Sequence, residues 1–298
     1  MKIAVLLSCF NRKDKTLECL KSLYKTYCDT NPDIEIEVFL TDDGCSDGTS
    51  SAALALCPFF TLHILEGDGN LYWNGGMNLS WKAAINRGGF DGYLWLNDDC
   101  VILPEFWGDI ARADEESLKI YGKTGIYVGS TCDKNRTCLT YGGFKYINKW
   151  LLIDQFVYPD DVTYQACSCA HGNITYISHT VAEQMGVLCE QYSHGGGDHD
   201  YTYSAYKAGF PILVLPHYAG ICDNDHKNKI GNDAFGGKNL KERLEYLSSP
   251  HGMNLHNTLL FQKRCFPYRY FPVLIVSYFK AIFPNISSKI YLLMRRYR

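Results

Sequence analysis

A chain of 298 residues that is 46% hydrophobic, 20% charged and 14% aromatic has room for one large domain or two small ones around a substantial core, which excludes disorder as its main state. The formal net charge of −3 hides an asymmetry: residues 259–298 hold eight Lys and Arg and no acid, which leaves 21 Lys and Arg against all 32 Asp and Glu before them, a net −11. An acidic body with a basic tail argues against a nucleic-acid binder and for a local basic contact such as an anionic lipid surface.

In chain order, residues 1–9 (MKIAVLLSC) form a continuous apolar run of the buried-strand type. Residues 14–27 space Leu17, Leu20 and Leu23 along one helix face, and residues 34–40 read as a second strand, completing a βαβ unit. The alternation continues with a helix over 46–56, a strand over 60–65, a helix over 77–86 and a strand over 93–96. This pattern predicts a mostly parallel sheet with helices on both faces and a ligand site beyond the carboxyl ends of its strands. After residue 100 the pattern changes to a strand over 125–131 and a hairpin of 137–141 with 144–148 joined through Gly142 and Gly143. A strand over 174–177, helices over 181–186 and 200–208, and a strand over 211–215 follow. The apolar run 271–284 (FPVLIVSYFKAIFP) is interrupted by Pro272, Lys280 and Pro284 and is too short to span a bilayer. Its basic flanks fit a segment lying in an anionic membrane interface, with packing on the body or on a partner copy as the alternative.

Thirteen cysteines without a CxxC pair, and no signal peptide ahead of the first strand, predict reduced thiols in a cytosolic protein and give no support for a structural zinc site. The turn after the first strand, Ser8-Cys9-Phe10-Asn11-Arg12, lacks the GxGxxG of a dinucleotide site, and no GxxxxGK[ST] phosphate loop occurs. Carboxylates stand at the strand ends instead: Thr41-Asp42-Asp43-Gly44-Cys45-Ser46-Asp47-Gly48-Thr49 after the second strand and Leu96-Asn97-Asp98-Asp99-Cys100 after the fourth. Such acids can coordinate a hard divalent cation or hydrogen-bond a ribose, and equally can cap turns and helices.

Taken in order, SCFNR, TDDGCSDGT, GNLYWNGGMN, YLWLNDDC and GGGDHDYTYSAYKAGFPI resemble an inverting, nucleotide-sugar-dependent glycosyltransferase of family 2, and within it the rhamnosyltransferase-like enzymes of bacterial surface polysaccharide synthesis. The resemblance covers about residues 1–225. It implies an α/β GT-A fold, a Rossmann-like nucleotide-binding mixed sheet flanked by helices, in residues 1–237 (1–100 holding the nucleotide sugar and 101–237 the acceptor), followed by a helical, basic-hydrophobic tail in residues 238–298. It places Phe10, Asn11, Arg12, Asp42 and Asp43 around the nucleotide, with Trp73, Asn74, Gly75 and Asn78 near the sugar or phosphate. Asn97-Asp98-Asp99 stands at the family's DxD position, so Asp99 is expected to hold Mg2+ or Mn2+ while Asn97 or Asp98 contacts ribose or a metal-bound water. Asp198 aligns with the general base, and Gly197, where many relatives carry Glu, leaves Asp200 as a partner or rival for that role. The late His of many relatives falls near Cys222, not His217, and His226 is the expected further metal ligand; His171-Gly172-Asn173 is expected to face the acceptor site. The implied partners are a nucleoside-diphosphate sugar, a glycan or lipid-linked oligosaccharide acceptor and an anionic membrane surface, without nucleic acid. A catalytically inactive sugar-nucleotide-binding scaffold subunit and a sugar nucleotidyltransferase remain as alternatives.

Overall fold

The computed structural model describes residues 1–30, 33–56, 61–223, 235, 237–249, 252–287 and 289, and the chain divides into two compact units, Met1–Asp223 and Asn224–Arg298. In the first unit β1 (Lys2–Cys9), α1 (Lys13–Thr30), β2 (Glu35–Asp42), α2 (Thr49–Leu56), β3 (Thr61–Glu66), α3 (Tyr72–Arg87) and β4 (Gly92–Leu96) alternate as expected. They are followed by β5 (Val101–Ile102), α4 (Glu105–Tyr121), β6 (Ile126–Cys132), β7 (Leu139–Tyr141), β8 (Gly143–Asn148), β9 (Ile153–Phe156), β10 (Gln165–Ala166) and β11 (Cys169–Ala170). The unit closes with β12 (Ile174–Ser178), α5 (His179–Met185), α6 (Gly197–Lys207) and β13 (Ile212–Ile221).

The main sheet has the order β10-β13-β6-β12-β4-β1-β2-β3, with β5 paired to β13 and β7 to β6. β1 pairs in parallel with β2 and β4, whereas β12 runs antiparallel to both β4 and β6. The sheet is therefore the mixed α/β sheet of a GT-A fold. Along β1, Ile3, Val5 and Leu7 enter one buried layer with Leu20, Leu23, Trp107 and Ile110, while Ala4 and Leu6 enter another with Trp81, Ala84, Val181 and Tyr201. A strand covered by helices on both faces has no polar side, which explains its unbroken apolar sequence.

Two elements differ from the sequence reading. The strands expected to form a hairpin across Gly142 and Gly143 belong to different sheets: β7 pairs with β6, and β8 joins a small sheet of order β11-β8-β9. A Cβ at Gly143 would stand 2.5 Å from Val214 and 2.7 Å from the Cys167 sulfur, so this glycine lets the chain pass between sheets. The third helix starts at Tyr72, five residues early, because Gly76 packs flat against β1; a Cβ there would meet the Ser8 hydroxyl at 2.0 Å.

The second unit holds α7 (Leu240–Ser248), α8 (Leu255–Cys265) and α9 (Tyr270–Ile282). Asn239 and Glu242 form a reciprocal capping box at the start of α7. Phe235, Leu247, Leu255 and Ala281 make a small core, with Leu274 packed on it. Among the described residues no helix is long and apolar enough to cross a membrane.

Candidate active site

Strand register brings five chain segments to one edge. Cys9 stands opposite Asp42, so the turns after β1 and β2 emerge side by side, and β4 ends beside them at Leu96. Because β12 runs antiparallel with Ile174 opposite Leu96, residues 171–173 return to the same place, and the Asn97 N–H donates to the Asn173 carbonyl at 2.8 Å. The end of β13 pairs with β5, Ile221 opposite Val101, and delivers Cys222 to the acidic motif.

Within Asn97-Asp98-Asp99 the three side chains face different partners. Asp98 is buried, 4% exposed, with Arg12 Nη1 at 3.1 Å and the Thr16 hydroxyl donating at 3.2 Å. Burial pushes its carboxyl up to about 6, against the opposing pull of Arg12. Asp98 therefore anchors the motif from beneath through Arg12 and Thr16. Asp99 is more open. Its Oδ2 pairs with Arg12 Nη2, and its Oδ1 accepts from the Cys222 thiol at 3.6 Å. Arg12, expected in the nucleotide pocket, thus braces both carboxylates. Asn97 Oδ1 accepts from the Trp73 indole N–H at 2.7 Å.

The acids after β2 mostly organise the loops. Asp43, 3% exposed, accepts from Gly69 N at 2.9 Å, Leu71 N at 3.0 Å and Tyr72 N at 3.1 Å, so it takes the place of a cap at the start of α3. This engaged carboxylate shapes the loop ahead of α3. Asp42 accepts from Cys45 N at 2.6 Å and from the Ser50 hydroxyl, while Asn11 Oδ1 accepts from Ser46 N at 2.8 Å. Phe10 is 51% exposed beside them, an open ring at the nucleotide edge.

On α3, Asn74 and Asn78 are buried and donate to the Cys189 and Leu188 carbonyls at 3.0 and 2.9 Å. They pin the loop that leads to α6, and Gly75 lies against Leu71 just before the helix. A Cβ at Gly197 would come within 2.0 Å of Asn74 Oδ1, so a side chain at this position requires Asn74 to move. Trp73 packs its ring over Gly172, where a Cβ would lie 2.8 Å from it, and edge-on to Trp95 at 6.0 Å. It is a structural bridge more than a free platform for a sugar.

Asp198 lies in the first turn of α6. Its Oδ2 accepts from Gly172 N at 3.0 Å and its Oδ1 from His199 N at 2.9 Å. Burial pushes the carboxyl up, but His199, His171 and these two N–H groups outweigh it and hold it below the usual carboxylate range. The side chain keeps 17% of its exposure, whereas Asp200 is buried at 1%. Burial and the neighbouring His199 ring lower His171 to about 4, so it is neutral at pH 7; one of its ring nitrogens meets the Gly142 carbonyl. Phe144 packs against the His171 and His199 rings and Phe156 stacks on His171, so aromatic rings surround the two histidines beside Asp198.

One connected path therefore runs from the acidic motif to Asp198: Asn97, the Trp73 indole, Gly172, Asp198. Sequence reading names its ends and Trp73 and places Gly172 only in a segment facing the acceptor; it does not foresee the linking by the Gly172 backbone N–H. His217, set aside as a metal ligand, instead meets the buried Asp109 at 3.1 Å. His226 lies outside the described residues.

A mixed α/β sheet with an acidic motif and a separate carboxylate gathered at its strand edge defines a GT-A type sugar-transfer fold. The chain belongs to glycosyl transferase family 2, whose profile matches residues 4–185. That match includes the acidic motif and stops before Asp198. Among solved structures the chain is similar to the mannosyltransferase PcManGT from Pyrobaculum calidifontis in complex with GDP-Man and Mn2+, with TM-score 0.54, 13% identity, and 92% of this chain and 73% of that one covered. It is also similar to S. aureus TarS 1–349 in complex with UDP-GlcNAc, with TM-score 0.53, 15% identity and coverage of 88% and 71%. The same fragment with UDP gives TM-score 0.53, 16% identity and coverage of 91% and 72%. These likenesses concern the fold. No curated protein sequence matches the chain.

Proposed function

We propose that this glycosyltransferase inverts the anomeric centre of its donor, a nucleoside-diphosphate sugar of the dTDP-rhamnose or UDP-hexose type, and transfers the sugar to a hydroxyl of a lipid-linked bacterial surface glycan. The observation that carries this reading is the path that holds Asp198 and the Asn97-Asp98-Asp99 motif at one edge. Asp198 takes the proton of the acceptor hydroxyl as that oxygen bonds to the anomeric carbon, and the bond to the diphosphate oxygen breaks on the opposite face. Phe10 and the loop shaped by Asp42 and Asp43 receive the nucleotide. Asp99 would hold a divalent cation, Mg2+ or Mn2+, which neutralises charge on the departing diphosphate when bound.

Thermal melting with UDP, dTDP, GDP and CDP, each with and without Mn2+, tests the donor site. A nucleotide at about 100 times its Kd stabilises the native state by about 2.7 kcal/mol, a rise of roughly 5–11 °C for a domain of this size. One nucleotide is expected to give that rise only with the metal; no rise with any of them overturns the reading.

The second unit supports a membrane location for the acceptor. Leu274, Ser277 and Ala281 line the packed side of α9, while Phe271, Ile275, Tyr278 and Ile282 form an exposed stripe at helical spacing, 44–69% exposed. Lys263, Arg264, Arg269, Lys280 and Lys289 accompany it without an acid, the composition that suits an anionic interface. Deleting residues 267–298 is expected to move the protein from membrane to soluble fractions and to abolish sedimentation with vesicles containing anionic lipid. Equal sedimentation of the truncated and full-length chains would rule this location out.

A further inference from the structure

Asp99, Cys100 and Cys222 bring a carboxylate oxygen and two sulfurs within 4.8 Å of one another at the sheet edge. We propose that Cys222 is a cation ligand beside Asp99, so that this site takes a borderline or thiophilic divalent cation such as Co2+, Zn2+ or Cd2+ in preference to Mg2+. The inference rests on the reading of this edge as the donor site and deepens it.

The backbone fixes the placement. Ile221 pairs with Val101, and the Cys222 N–H donates to the Cys132 carbonyl at 3.0 Å, so Cys222 cannot drift from the acidic motif without breaking the sheet. Arg12 occupies Asp99 Oδ2, which leaves Oδ1 turned to the Cys222 sulfur at 3.6 Å. An oxygen at about 2.1 Å and a sulfur at about 2.3 Å from one ion, near the tetrahedral angle, stand about 3.6 Å apart. The pair is thus spaced for one ion with little movement. Asn173 Nδ2 donates to the same sulfur at 3.5 Å, an outer contact that orients a ligand and remains favourable when the sulfur is a thiolate. Cys100 is completely buried, and its thiol donates to the Asn173 carbonyl at 3.7 Å, so it stands behind the site.

Donor chemistry sets the selectivity. Mg2+ demands oxygen ligands in near-ideal octahedral geometry, whereas a thiolate favours softer ions. On binding, the Cys222 S–H bond is replaced by a sulfur–metal bond and one proton passes to solvent.

The test uses the full-length, reduced, metal-free chain titrated with Co2+ alone. A thiolate-to-cobalt charge-transfer band is expected in the wild type and in Cys100→Ala, and is expected to vanish in Cys222→Ser and Asp99→Asn. Cd2+ affinity in Cys222→Ser should fall by at least the roughly 100-fold that loss of an outer contact can cost, while Mg2+ affinity is kept or raised, since Ser supplies an oxygen. Metal-free melting at the wild-type temperature certifies that the variant is folded. A band that persists in Cys222→Ser, or no band in the wild type, overturns the proposal. If the wild type lacks the band yet binds a nucleotide with Mg2+, the thiol ligand falls and the donor site stands; if it binds neither, both fall.

Discussion

Asp198→Asn is expected to lower kcat by about 10²–10⁴-fold, the usual contribution of a positioned general base, while donor affinity stays within about twofold. The amide keeps the size of the carboxylate and an oxygen for the Gly172 or His199 N–H, but it cannot take a proton from the acceptor. The carboxylate oxygens of Asp198 accept from Gly172 and His199, neither of which belongs to the turns after β1, β2 and β4 that are proposed to receive the donor. Initial rates and nucleotide binding on the same preparation separate the two effects, and the anomeric configuration of the product reports the stereochemistry. Asp200→Asn supplies the contrast: at 1% exposure its effect should fall on melting temperature rather than selectively on kcat. Turnover at the wild-type rate in Asp198→Asn, or retention of configuration, would remove Asp198 from the base role.

The parts of the molecule that were legible in sequence share a physical cause. Strands buried on both faces must be apolar throughout, so β1 and β2 stand out, and the helices between them carry their apolar residues on one side. The acids at strand ends were equally visible. Their division of labour was not, because it depends on which oxygen faces which partner. Asp43 and Asp99 are both acids in pairs, yet one is engaged by three backbone N–H groups and the other pairs with Arg12 and turns to a thiol. The helix over Glu105–Tyr121 went unread although Phe106, Trp107, Ile110, Ala113 and Ser117 are its buried positions at helical spacing; its many charged residues mask that stripe. Cys222 carried a positional signal, and residue chemistry favoured a histidine in its place. Gly172 has no side chain to announce a role, and its contribution arises only when an antiparallel strand folds it back beside Trp73 and Asp198.

Replacing Asp43 by Ala is expected to cost about 3 kcal/mol of stability and about 6–12 °C in Tm, a structural effect at a residue that sequence alone assigns to nucleotide binding. Its two oxygens accept from Gly69, Leu71 and Tyr72 N–H groups, and Ala leaves all three without that partner, each loss being worth about 1–3 kcal/mol where water cannot substitute. Space is tight as well: a Cβ at Gly67 would lie 2.6 Å from Asp43 Oδ1, so the loop has formed around this carboxylate. Asp43→Asn is the informative companion, since it preserves shape and one acceptor oxygen and should lose about half as much. Were the acid needed mainly to hold the nucleotide, both variants would melt near the wild type and differ in donor affinity alone. Melting curves without ligand, followed by nucleotide titration at a temperature where each variant is folded, decide between a loop-building carboxylate and a ligand-binding one.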